Sequence, residues 1–249
     1  MKSCEQSQKN NCRLEANVFF LDPTYLCFMI PGFLLVMFSS LYVKSAYNKW
    51  SRVPVRSGLT GAQAAQRLIT SGNLAGVQIQ TIGGNLTDNY DPRDKVLHLS
   101  QNVAGTASVA SVAVAAHELG HAMQDADNYF PLRFRAALVP AVNIGSWLGW
   151  IMILAGLLLG LTNLAWAGIL VFSGGALFAL ATLPVELNAS ARAKTLLAET
   201  GIIAGGDEQN GVNNVLNAAA LTYVAALAAA LLQLLYFVSL VGGLGGRRR

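Results

Sequence analysis

Charge is what this sequence has least of. Asp, Glu, Lys and Arg make up 12% of its 249 residues, about half the share of a soluble domain. What charge there is avoids long stretches. None falls in the 50 residues between Arg135 and Glu186, the 38 between Glu208 and Arg247, or the 21 between Asp22 and Lys44. A transmembrane helix needs roughly 20 mostly apolar residues, so these gaps hold about four spans and exclude a purely soluble protein. Cysteine is also scarce. Cys4, Cys12 and Cys27 form no CxxC pair, which argues against a cysteine zinc site or a dithiol redox motif. No basic stripe runs along the chain: the net charge of +4 comes from scattered residues and a terminal Arg247-Arg248-Arg249. A nucleic-acid partner is therefore not expected.

The expected fold class is a mainly α-helical membrane protein, with about four transmembrane helices and a small α+β, zincin-like cytoplasmic portion. Residues 1–22 form a polar tail without the pattern of a signal peptide. Residues 23–43 hold the first span, bent at Pro31-Gly32. The segment 44–135 carries most of the polar structure. In it Thr60 caps a short helix ending near Ser71, and Val77–Ile82 alternates apolar and polar residues as a strand does. Val96–Leu99 is a second strand, either internal to the sheet or offering its edge to an extended peptide. Val109–Gln124 is an alanine- and valine-rich helix. Residues 139–183 fit a hairpin of two spans, divided near Gly160, with Gly145, Gly149, Gly156 and Gly160 allowing close helix contact in lipid. A polar helix from Pro184 to Glu199 and a loop fill 184–217. The last span covers 218–241, and 242–249 is a basic tail. Lys and Arg number eleven in the segments on one face of this topology and six on the other. The positive-inside rule then puts 44–135 and 184–217 in the cytoplasm and both termini outside.

The chemistry lies in His117-Glu118-Leu119-Gly120-His121. Histidines at i and i+4 share one helix face, so both imidazoles can reach one ion. Neutral imidazole is a natural Zn2+ ligand. The adjoining Glu118 can deprotonate a zinc-bound water whose pKa the metal lowers to about 7. The chain has three histidines and 13 acidic residues. Independent composition then gives roughly 0.002 expected matches to this pattern. A catalytic zinc takes three protein ligands and keeps one position open. No third His follows the motif, and His98 lies upstream in a strand, so the third ligand should be a carboxylate. Asp125, Asp127, Glu186, Glu199, Asp207 and Glu208 are the downstream candidates. Asp125 suits an outer role, one turn beyond His121. Glu186 sits at a membrane edge, where a carboxylate is costly to bury unless it pairs or ligates.

HELGHAMQDA, followed by an apolar hairpin and LPVELNASARAK, resembles the bacterial membrane-bound neutral zinc metallopeptidases of the YugP type. SGLTGAQAAQRLI, LTDNYDPRDKVLHLS, PLRFRAALVPAVNIGS and VLNAAALTYVAALAAALLQLL extend the likeness over about residues 40–236. That family is similar to the gluzincin membrane proteases of the HtpX kind. The resemblance implies that His117, His121 and Glu186 are zinc ligands and that Glu118 is the base. The related gluzincins carry at residue 190 an Asp that orients a zinc histidine; here it is Ser190. Asp125, Asn188 and Ser190 are candidates to replace it, and Tyr90, Arg192 and Tyr223 are candidate donors to an oxyanion.

The function expected is a membrane-anchored zinc endopeptidase of the bacterial cytoplasmic membrane. Its active site would face the cytoplasm, its substrate would be a peptide or membrane protein, and the bilayer would be its other partner. Two alternatives stand beside it. A non-catalytic, zinc-stabilised membrane scaffold would have no use for Glu118. A site-2-type intramembrane protease would need a downstream Leu-Asp-Gly helix, and the chain's Leu21-Asp22 lies upstream.

Overall fold

The computed structural model describes residues 23–246. The tail 1–22 with Cys4 and Cys12, and the Arg247–Arg249 triplet, lie outside them. The fold is mainly helical with one small sheet. Helix α1 (Pro23–Trp50) is followed by α2 (Gly61–Ser71), strands β1 (Gln78–Ile82), β2 (Asn89–Asp91) and β3 (Val96–Ser100), and short helix α3 (Gln101–Gly105). Then come α4 (Val109–Ala126), α5 (Phe130–Leu158), α6 (Thr162–Phe172), α7 (Gly174–Glu199) and α8 (Asp207–Gly246). Four stretches are long and apolar enough to cross a membrane: α1, α5, α6 with α7, and α8.

Helix α4 is the centre of the polar half. Its Val109, Val112, Ala113, Ala116 and Leu119 are fully buried, so it is wrapped on most sides. Small side chains let α2, α7 and α8 approach it closely. Ser108 caps its start by accepting from the Ser111 amide, and Thr60 with Gln63 closes a capping box on α2. The sheet has the order β1-β3-β2, with β1 parallel and β2 antiparallel to β3. Leu97 and Leu99 of β3 point into the core. Strand β3 is therefore central and has no edge to offer. The open edge nearest α4 belongs to β2, a strand that the turn-rich composition of 87–94 did not suggest.

Three helices run further than their apolar cores. Helix α1 continues past Val43 to Trp50, whose ring is buried in the polar half. Its indole Nε1 donates to Asn214 Oδ1 of α8 (3.1 Å), and Asn214 Nδ2 donates to the Tyr42 hydroxyl (3.0 Å). Helix α8 begins at Asp207, three turns before its apolar segment. The expected break before Pro184 is absent: α7 passes through it, and the second crossing is instead interrupted at Ser173, between α6 and α7. Proline removes one intrahelical bond, and the fully buried Val185 and Ala189, on the face of α7 that packs against α4, hold the run together.

Within the hairpin, α5 meets α6 through glycine. A Cβ on Gly149 would lie 2.8 Å from the Phe172 nitrogen, and one on Gly156 2.5 Å from the Ala165 nitrogen. Gly168 completes the contact from the α6 side. Gly145 makes only ordinary contact with Val171, and Gly160 serves the turn with φ +67°.

Candidate metal centre

Helix α4 presents His117, Glu118 and His121 toward α7. The two helices cross at Gly120, where a Cβ would stand 2.4 Å from the Ala189 carbonyl oxygen and 2.9 Å from its carbon. Only hydrogen fits there. That close crossing brings Glu186 and Ser190, one turn apart on α7, against the histidines. Glu186 Oε2 is 3.3 Å from His117 Nε2 and 3.5 Å from His121 Nε2. The three donor atoms lie within 4.8 Å of one another, the one such group of His, Cys, Asp and Glu among the described residues.

The hydrogen bonds behind the imidazoles settle what these atoms offer. Buried Gln124 donates from Nε2 to the Val185 carbonyl (2.8 Å) and to Asn188 Oδ1 (2.9 Å). Asn188 Oδ1 also accepts from Arg192 Nε (2.8 Å), which fixes it as the amide oxygen. Gln124 Oε1, 3.0 Å from His121 Nδ1, must then accept, so Nδ1 carries a proton, and in the neutral ring Nε2 offers a lone pair. Ser190 Oγ stands 3.1 Å from His117 Nδ1 in the matching position. With His117 in the same tautomer, two ring lone pairs and a carboxylate oxygen converge with no donor between them, an arrangement that calls for a cation. Two imidazoles and one carboxylate with an open side are the donor set of a catalytic zinc, so the residues fit the metal.

Glu186 is almost fully buried, its side chain 3% exposed. Its second oxygen, Oε1, accepts from Arg135 Nη1 at 3.2 Å. The cavity in front of the three donor atoms has about 200 Å³ and is bounded by Glu118, the β2 edge at Asn89 and Tyr90, Leu132, Arg135 and Tyr223. Burial pushes the Glu118 carboxyl above its usual range, against the opposing pull of His117 and His121. Burial and then the bond to Asp125 raise the Tyr90 hydroxyl well above an ordinary phenol.

The other residues singled out from sequence are spread around this centre. Asp125 accepts from the Tyr90 hydroxyl at 3.0 Å and touches neither histidine. Asn188 reaches His121 only through Gln124. Arg192 turns away from the cavity to pair with Asp127 and lie over the Tyr129 ring. Tyr223 faces the cavity and interacts with Glu186. Of the remaining carboxylates, Glu208 is buried elsewhere, accepting from the Arg56 and Ala204 amides. His98 stays in the sheet, opposite Asn89. Sequence reasoning did not find Gln124, Arg135 or the role of Gly120. Gln124 was signalled only by its i+3 spacing from His121, and Arg135 by nothing local, since its partner is 51 residues away.

Residues 25–242 match a protein family described as "putative neutral zinc metallopeptidase". The chain is also similar to a protein of Bacillus subtilis (strain 168) named "putative membrane protease YugP". The two are 44% identical over 204 residues, 82% of this chain and 90% of that one. No solved structure matches the chain.

Proposed function

This chain belongs to the family described as putative neutral zinc metallopeptidases, and from that premise we propose that it is a membrane-anchored zinc endopeptidase. The observation that carries the reading is the convergence of His117, His121 and Glu186 beside Glu118 on the wall of an accessible cavity. Zinc held by those three side chains would supply a Lewis acid and make water acidic enough to deprotonate near neutral pH. The rest is done by the chain. Glu118, on the cavity side of the histidines, takes the proton of the attacking water and later delivers it to the leaving amine. Gln124 and Ser190 hold the imidazoles in orientation, which keeps the ligand set rigid. Charge grows on the carbonyl oxygen as water adds, and the cavity offers two donors for it, Arg135 and Tyr223. The Tyr90 hydroxyl is held by Asp125 and that of Tyr223 faces Glu186, so Arg135, with N–H groups beyond the one on Glu186, is the freest donor.

The membrane frame follows from the same layout. We place the site at the cytoplasmic face of the bacterial cytoplasmic membrane, with peptide or membrane-protein segments as substrates. The excess of Lys and Arg on the site's side of the spans supports this. A cysteine placed at Thr162 should react with an impermeant thiol reagent in intact cells, and one at Ser57 should not.

The scaffold alternative leaves Glu118 beside an open cavity without a task. The site-2-type alternative needs an apolar Leu-Asp-Gly helix, whereas the carboxylate beside the histidines is Glu186. The deciding experiment is cleavage of an unfolded protein by the purified full-length chain. Cleavage that stops with a chelator and returns with zinc is expected. Absence of cleavage, or cleavage indifferent to the chelator, would reject the proposal.

A further inference from the structure

The cavity at the metal centre is one part of a longer depression. Asp88, His117, Glu118 and Tyr223 also border a second cavity, of about 150 Å³, which passes between α1 and α8. Its far wall is apolar, with Val43 of α1 and Val215, Leu216 and Ala219 of α8. Tyr47 and Leu86 are shared in turn with a third cavity, of about 500 Å³, on the outer surface. Through these shared walls a single cleft leads from Glu118 outward between the polar end of α1 and the 85–88 loop.

The character of the cleft changes along its length. At the donor atoms it is polar, its middle part is apolar apart from Asp88, whose carboxylate accepts from the Ser100 amide and hydroxyl, and the outer part is lined by uncharged amides and hydroxyls such as Asn48, Asn102 and Thr106. Such groups both donate and accept, which suits a polypeptide backbone. The floor there is fixed by the Asn102 Nδ2 bond to Asn85 Oδ1 at 2.6 Å. One charge stands on this outer wall: Lys44. Among the described Lys and Arg residues only Arg135 and Arg192 hold a carboxylate partner, so what sets Lys44 apart from the other unpaired cations is its place on the cleft wall. A chain lying extended along the cleft and cut at Glu118 would pass Lys44 on one side of the scissile bond.

Resting on the peptidase reading, we propose that this cleft holds the substrate chain on one side of the scissile bond and that Lys44 recognises a carboxylate on it. The occupant is then a polypeptide with an apolar residue next to the cut and, further along, either an acidic side chain or its own C-terminal carboxylate. The apolar wall takes the first and Lys44 the second. Continuity with the metal centre and the position of an unpaired positive charge on the cleft wall are the two observations that select this occupant.

The test uses the full-length protein and one peptide family of constant core. Glu, Gln or Lys is placed at successive positions flanking the cut, each peptide with a free or an amidated C-terminus. Wild type should favour Glu over Gln at one fixed position by roughly two- to fivefold in kcat/KM, as for a solvent-exposed ion pair. Lys44→Glu should reverse the order in favour of Lys. Lys49→Glu makes the same change in net charge outside the cleft and should leave the order unchanged. A preference that follows the free C-terminus would assign the carboxylate to the chain end, and one that follows Glu would assign it to a side chain; either supports the proposal. Binding of the same peptides to Glu118→Gln should show the same ranking. A ranking that ignores Lys44→Glu, in cleavage or in binding, overturns the proposal and leaves the peptidase reading intact. Peptides that bind Glu118→Gln in this order while wild type cuts none of them would reject the peptidase reading alone.

Discussion

The core around α4 and the hairpin α5–α6 are packed by opposite rules. Around α4 the large apolar side chains are inside: Leu68, Leu97, Leu99 and Leu119 have no exposure. In the hairpin they are outside, with Trp147 76%, Leu170 75% and Leu158 74% exposed, while Gly149, Gly156, Gly168 and Ala165 fill the seam. Water explains the first arrangement, because each buried Å² of apolar surface gains about 25 cal/mol. Lipid explains the second, since a leucine gains little by leaving acyl chains for another helix and close backbone contact becomes the means of association. The candidate metal centre lies where the two regimes meet. His117 and His121 come from the water-packed core. Glu186 comes from α7 as it leaves the lipid-packed bundle, and the α4–α7 crossing that joins them again relies on a glycine.

The largest effect should follow from disturbing that crossing. Gly120→Ala places a methyl carbon against the Ala189 backbone at 2.4 Å, so α7 must move away and carry Glu186 with it. Zinc affinity should fall by more than the 10- to 100-fold typical of an outer-sphere change. Elemental analysis of the purified variant, with helicity checked by circular dichroism, reads this directly.

The contrast between the two regions is sharpened by paired substitutions. Leu97→Ala should destabilise by about 2–5 kcal/mol, as core truncations do. Leu170→Ala, on the lipid-facing side, should cost well under ~1 kcal/mol, because it removes no packed contact of that kind. The reverse exchange, Gly156→Leu, should be the harmful one in the hairpin, since its Cβ would stand 2.5–2.8 Å from the Ala165 backbone. Denaturant unfolding in detergent gives all three. Equal costs for Leu97→Ala and Leu170→Ala would contradict the account of how each half is packed.

A smaller effect is expected behind the histidines. Ser190→Ala and Gln124→Ala each remove a partner of an imidazole Nδ1, and each should weaken zinc by 10- to 100-fold. Asp125→Asn, whose carboxylate faces Tyr90 instead, should change zinc affinity little. Competition with a chelator of known affinity ranks the three.

The sequence was legible where a signal is local. Charge-free runs located four spans, the i, i+4 spacing located His117 and His121, and Thr60 marked the start of α2. The ends of the spans were not legible. Hydropathy records the part of a helix that faces lipid, whereas Trp50, Leu196 and Val212 continue their helices because they pack in the polar core. Strand β2 was missed because Asn89-Tyr90-Asp91 is polar and short, and exists through the pairing of Tyr90 with Leu97. At the centre itself Glu186 could be argued from the cost of burying an unpaired carboxylate at a membrane edge. Arg135 could not, because Glu186 lies 51 residues away, and Gln124 showed only its i+3 spacing from His121, since the bonds that orient its amide reach Val185 and Asn188, 61 and 64 residues on.

The central claim is that two regions jointly build one ion site and that Glu118 works beside it without holding the ion. Zinc content and zinc-dependent cleavage, measured together on purified full-length wild type, Glu186→Ala and Glu118→Gln, test it most directly. Glu118→Gln should keep one zinc per chain and cleave nothing, and Glu186→Ala should lose both the metal and the cleavage. Full zinc occupancy in Glu186→Ala would contradict the account, because the histidines of α4 would then hold the ion without the helix that emerges from the membrane.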